Sequence, residues 1–170
     1  MDLFLEYIIK RKKGVKENIL TLAIILCVPS LVYLSILLLV TPIAPLTIFI
    51  IAGIIFLAYW LISKMNVEFE YIITNNELDI DKITSKKMRK RLITIDLKKI
   101  DLTAPTMTSV HRNELSKPAT NVIYADSGVA EKAYFINFEK DGQTYRVFLS
   151  PTDKMIDAMK IYAPGRVFKE

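Results

Sequence analysis

Residues 19–63 contain no Asp, Glu, Lys, Arg or His, while both flanks are densely charged. A hydrocarbon core of roughly 30 Å takes about 20 apolar residues per helix, so this run is long enough for two spans and too long for one. The run divides at residues 41–45, TPIAP, because two prolines so close together remove donor N–H groups and restrict the residues before them. Residues 19–40 and 46–62 are the expected spans, roughly 33 Å and 26 Å long at about 1.5 Å per residue. The short loop makes them antiparallel. Tyr59 and Trp60 stand just before Lys64, where amphipathic rings favour the headgroup level.

Lys10, Arg11, Lys12, Lys13 and Lys16 precede the first span, Lys64 follows the second and the loop carries no charge. The excess of cations at both ends predicts a multi-pass protein of the cell (plasma) membrane with its N- and C-termini cytoplasmic. A signal peptide is the competing reading of a basic start. It is disfavoured because the apolar run is too long, no small-residue cleavage site follows it and a second span does. Neither span carries an ionisable group, so a proton relay or charged pore has no residues to run on. Pro29 inside the first span frees the carbonyl of Ile25 and predicts a kink.

Outside the spans, residues 1–18 form a basic cytoplasmic segment. Leu3, Phe4, Tyr7 and Ile8 approach helical spacing, so the expectation is either a simple extension or a short helix lying on the membrane surface. Residues 65–170 are enough for one small domain. A net charge of +5 with many interspersed acids argues against nucleic acid as a partner. Cys27 is the only cysteine, which rules out an intrachain disulfide and a thiol redox pair.

After Lys64 the periodicity becomes two. Val67, Phe69, Tyr71 and Ile73 alternate with polar residues, Asn75 and Asn76 supply a turn, and Leu78 and Ile80 lead a returning strand. A third strand is expected over residues 89–95, then a single turn at LKKI and a strand at 100–104. Residues 105–118 read as loop, with strands again at 121–124 and at Tyr134, Ile136 and Phe138. Asp141-Gly142 links that last strand to Tyr145, Val147 and Leu149 as a tight hairpin. Ser150 is the expected cap of a closing helix with Pro151 at its first position and Met155, Met159 and Tyr162 on its apolar stripe, ended by Pro164 and Gly165.

At least six short antiparallel strands followed by one amphipathic helix is the element order of a pleckstrin-homology-like (PH-like) barrel. The segment EYIITNNELDIDKITSKKMRKRLITIDLKKI resembles the bacterial PH-like pattern, whose domains commonly follow a pair of transmembrane helices. The resemblance implies a membrane α-helical hairpin joined to an α+β, mainly-β domain, a PH-like β-barrel or roll capped by a C-terminal amphipathic helix. More closely, the start MDLFLEYIIKRKK, the KRLITIDLKKI segment and the end FLSPTDKMIDAMKIYAP are similar to a family of small two-span membrane proteins of unknown function from Gram-positive bacteria. That family brings no assigned catalytic residues. The stretch 106–131 matches the pattern least, so any departure in strand order is expected there.

Three groups are candidates for function. Lys86, Lys87, Arg89, Lys90 and Arg91, with Lys98 and Lys99 nearby, form a basic run tethered close to the membrane, where anionic phospholipid attracts each cation by roughly 1 kcal/mol. His111, with Arg112 and Glu114, lacks the nucleophile, orienting partner or further ligands that catalysis or metal binding needs; no catalytic, metal or cofactor residue is assigned, and the chain is not expected to be an enzyme. Tyr124, Tyr134, Tyr145 and Phe148 mark strands whose open edges can accept a partner strand. The expected role is a membrane-anchored interaction module that binds a protein partner or itself as a homo-oligomer. The alternative is an accessory subunit of a membrane complex or transporter, in which the hairpin is the functional part.

Overall fold

The computed structural model describes residues 3–169; Met1, Asp2 and Glu170, the outermost residues of the expected N-terminal segment and domain, lie outside them. The chain forms two compact units. One is residues 13–66, and the other joins the N-terminal residues up to Lys12 to everything from Val67 onward.

The first unit is the hairpin. Helix α1 (Val15–Ile36) runs through Pro29 and passes into a 3-10 turn at Leu37–Val40. A second 3-10 turn, Ala44–Leu46, carries a proline in its first positions and opens helix α2 (Thr47–Lys64). The break at the two prolines is therefore as the sequence predicts. Both helices, with their 3-10 extensions, are long and apolar enough to cross a membrane. Three hydroxyls in α1 are satisfied within the helix itself: Thr21 donates to the carbonyl of Glu17, Ser30 to Leu26 and Ser35 to Leu31, which lets polar residues sit in an apolar setting. The Lys64 ammonium lies over the Trp60 ring, 3.6 Å from its centroid, a cation–π contact at the end of α2.

The second unit is β-rich. Strands β1 (Phe4–Lys10), β2 (Val67–Thr74), β3 (Glu77–Thr84) and β4 (Met88–Asp96) form one antiparallel sheet in sequence order. Strands β5 (Ile100–Pro105), β6 (Asn121–Tyr124), β7 (Tyr134–Lys140) and β8 (Gln143–Leu149) form the other, in the order β5-β7-β8-β6. A short helix α3 (Arg112–Ser116) precedes β6, and helix α4 (Asp153–Tyr162) closes the unit. Phe69, Tyr71 and Ile73 of the first sheet, Ile136, Val147 and Leu149 of the second, and Met155 and Met159 of α4 meet in one core.

Four expectations are corrected. The architecture is two four-stranded sheets, not a closed barrel. Residues 4–10 are a strand, not an extension or an interfacial helix: Leu5, Tyr7 and Ile9 turn toward the core while Phe4, Glu6, Ile8 and Lys10 face out. The domain thus begins before the hairpin and resumes after it, instead of starting at residue 65. Thr152, not Ser150, caps α4, its hydroxyl accepting from the Met155 N–H. Ser150 is buried and instead accepts from the N–H of Ser127.

The departure within 106–131 is also real. Strand β6 pairs with β8 in parallel, the one parallel pair among the described strands. Both tight hairpins form where turn chemistry placed them, with Asn75 at φ 52°, Asp141 at φ 52° and Gly142 at φ 73°; these left-handed conformations are those that Asn, Asp and Gly adopt at least cost.

Candidate interaction surface

The basic run divides into two groups by what its cations pair with. Pairing between β3 and β4 is regular until a bulge, where Ile80 faces Ile93 but Asp81 faces Arg91, leaving Leu92 as the extra residue. A bulge of one residue reverses which face the following side chains occupy. Arg91 and Arg89 therefore come to lie on the face that carries Asp79, Asp81 and Glu70. The Arg89 guanidinium pairs with the Glu70 carboxylate at 2.8 Å. Arg91 pairs with Asp81 and, at 2.6 Å, with Asp79, which also accepts from the Thr94 hydroxyl at 2.6 Å.

Across the sheet Ile8, Glu70, Asp81 and Arg91 form one cross-strand row. The Glu70 side chain is 0% exposed beneath the partly exposed arginines. Burial pushes its carboxyl above the ordinary range; Arg89 opposes this, and the nearby carboxylates of Glu6 and Asp81 add to the rise. Two of the five predicted lipid-contact cations are thus committed to acids of their own sheet.

The other three remain available. Lys86, Lys87 and Lys90 are exposed and have no ion-pair partner among the described residues. Ser85 and Lys86 both adopt left-handed backbone, at φ 56° each, in the turn that joins β3 to β4. Next to these lysines the Met88 side chain is 70% exposed. The β3–β4 tip therefore presents an apolar side chain among cations. Lys98 and Lys99 are exposed on the LKK turn. Their turn is capped by Asp96, which is held below the usual carboxylate range first by the Asn76 amide and then by the Lys98 N–H and both lysines.

His111 sits at the start of α3 with its ring 4.4 Å from that of Phe168, and Glu114 pairs with Lys117 at 2.6 Å. Among the described residues no three His, Cys, Asp or Glu side chains converge as a metal site would require. The aromatic group divides by burial. Tyr134 is buried, Tyr145 is stacked on Phe138 at 5.3 Å, and Tyr124, 68% exposed, is stacked on Phe148 at 5.0 Å.

Two internal anchors escape a linear reading. Arg146 is buried on β8; its guanidinium donates to Asn137 Oδ1 at 2.9 Å and to the carbonyls of Leu115 and Glu114 at 2.6 and 2.8 Å. It holds the C-terminal end of α3 against the second sheet. A signal for part of this existed: a two-residue turn at 141–142 places Asn137 opposite Arg146. The second anchor is Tyr71 on β2, fully buried, whose hydroxyl donates to the Ala125 carbonyl and accepts from the Ser150 N–H at 3.1 Å. Burial raises its phenol above the ordinary range.

Comparison with curated proteins and with solved structures returns no match. A family model does match, over residues 1–169, and its description is a bacterial PH-like domain. Because the match includes β1, both apolar helices and the two sheets, it extends over both units, and the chain belongs to the bacterial PH-like domain family DUF6106.

Proposed function

We propose that the protein is a two-pass protein of the plasma membrane with both termini cytoplasmic. In this reading the hairpin is an anchor, and the PH-like domain is an interaction module that binds a protein partner or a second copy near the inner leaflet. The observation that carries it is the contrast between the two units. The spans expose almost wholly apolar side chains such as Leu22, Ile25, Phe49 and Phe56, which bilayer would cover. The domain instead exposes strand edges and a basic tip. The cations before α1, together with Lys64 at the end of α2, support the orientation.

Confining the domain to a layer beside the membrane raises its effective concentration toward anything else held there. Lys86, Lys87 and Lys90 around Met88 would bias its pose toward anionic phospholipid, at roughly 1 kcal/mol per cation near the surface. Arg89 and Arg91 contribute less, because their charge is already met by Glu70, Asp79 and Asp81. The role is binding rather than catalysis.

Replacing residues 13–66 with an unrelated two-span anchor tests the division of labour. The proteins crosslinked to the domain in the native membrane should be unchanged. Their loss, with the chimera still inserted and folded, would move the function to the helices, as in an accessory subunit of a membrane complex or transporter.

A further inference from the structure

The two sheets end in β1, β4, β5 and β6, and three of these edges are blunted by devices that discourage strand addition. The edge of β5 is occupied: the Thr103 N–H donates to the Arg166 carbonyl at 2.7 Å, and the Phe168 N–H donates to the Thr103 carbonyl at 2.8 Å. The edge of β4 carries Arg89, Lys90 and Arg91 beside a bulge. Strand β6 has only 4 residues.

Strand β1 has 7 residues, no bulge and neighbours only β2. The Asn75 N–H reaches the Leu3 carbonyl, and the Arg11 N–H reaches the Val67 carbonyl. The odd-numbered residues of β1 thus spend their main-chain groups on β2, and in an antiparallel ladder those of Phe4, Glu6, Ile8 and Lys10 must point the other way. No hydrogen bond to these outward groups occurs among the described residues. A cleft of about 440 Å³ lies between residues 5–7 and residues 152–155 at the start of α4, and beyond the strand the Lys12 N–H is already taken by the Ser127 carbonyl at 2.9 Å, so the free outward groups are those of residues 4–10.

We propose that β1 pairs antiparallel with β1 of a second copy in a two-fold register centred on Ile8, joining two four-stranded sheets into one. This rests on the interaction-module reading and names the occupant. The pattern Glu6-Tyr7-Ile8-Ile9-Lys10 is complementary to itself in this register. Glu6 faces Lys10 of the second copy twice over, and Ile8, 47% exposed in the single chain, faces its own symmetry mate. On the opposite face Tyr7 meets Ile9. A register centred on Glu6 would oppose two like charges, and one centred on Tyr7 would pair none. Lys10 has no ion-pair partner among the described residues, and Glu6 lies close to the Glu70 carboxyl.

The test uses the full chain in detergent micelles. Dimerisation is expected. In a Cys27→Ser background, Ile8→Cys should oxidise readily to a crosslinked dimer, while Phe4→Cys, which the register places away from its own mate, should not. Either Glu6→Lys or Lys10→Glu should weaken dimerisation about tenfold, since two opposite-charge pairs become like-charge pairs. The double variant Glu6→Lys with Lys10→Glu should restore it, which loss of folding in the single variants would not allow. A monomeric chain, unchanged single variants or a double variant without recovery would overturn the pairing. If the chain is monomeric yet its domain crosslinks to a different protein in the membrane, the pairing falls and the interaction reading stands; if it crosslinks to nothing, both fall.

Discussion

Replacing Arg146 with alanine lowers the melting temperature of the β-rich unit by roughly 10 °C, the shift that about 3 kcal/mol produces in a domain of this size. The magnitude follows from what the guanidinium does. It satisfies three acceptors at once, the carbonyls of Leu115 and Glu114 and the side chain of Asn137. Hydrogen bonds to a charged group contribute about 1.5–3 kcal/mol each, but the freed α3 segment can regain water, so the sum is not realised in full. Arg146→Lys should recover less than half of the loss, because one ammonium cannot reproduce a planar fork reaching three acceptors. Circular dichroism melts of the full chain in detergent supply the temperatures, and hydrogen exchange at residues 112–116 should accelerate in both variants. A shift below about 2 °C, on the same scale, would mean that the loop is held by something other than Arg146.

Tyr71→Phe is the second large effect, about 2 kcal/mol, and it arises from removal of a single oxygen. That hydroxyl joins β2 of the first sheet to the segments that follow β6 and β8 in the second, through the Ala125 carbonyl and the Ser150 N–H. The ring still fills its place in the core, so no cavity forms. The cost comes from two buried main-chain groups left without partners, at roughly 1–3 kcal/mol per orphaned group, reduced by local relaxation. Because burial raises the phenol's ionisation above its ordinary range, the difference between wild type and variant should not change between neutral and mildly alkaline pH. Chemical denaturation of both proteins at two such pH values measures it. Equal stability of the two proteins would show that water replaces the hydroxyl and that it does not tie the sheets together.

What the sequence made legible is what depends on near neighbours. The two long apolar helices follow from an uncharged run and two prolines. The hairpins at Asn75-Asn76 and Asp141-Gly142 follow from turn residues flanked by alternating strands, and the LKK turn before β5 lies where that alternation breaks. What stayed hidden depends on distant partners. Leu3, Phe4, Tyr7 and Ile8 suit a helix over eight residues, but Leu3, Leu5, Tyr7 and Ile9 suit a strand equally well, and such short stretches are ambiguous between the two periods. The deciding partner, β2, lies beyond the hairpin. A fragment starting at residue 65 would therefore lack one edge strand of its first sheet. The candidate site was legible as composition and not as geometry: the bulge at Leu92 divides five cations into two paired with internal acids and three left exposed. Nor did any local signal show that β6 would pair in parallel with β8.

The central claim is that the domain, and not the hairpin, does the binding. Crosslinking the intact protein in its own membrane and mapping the linked residues by mass spectrometry tests it most directly. Crosslinks from residues of the β-rich unit to one reproducible partner, or to a second copy near β1, are the predicted result. Crosslinks confined to residues 13–66, with the β-rich unit linked to nothing across several growth conditions, would contradict it.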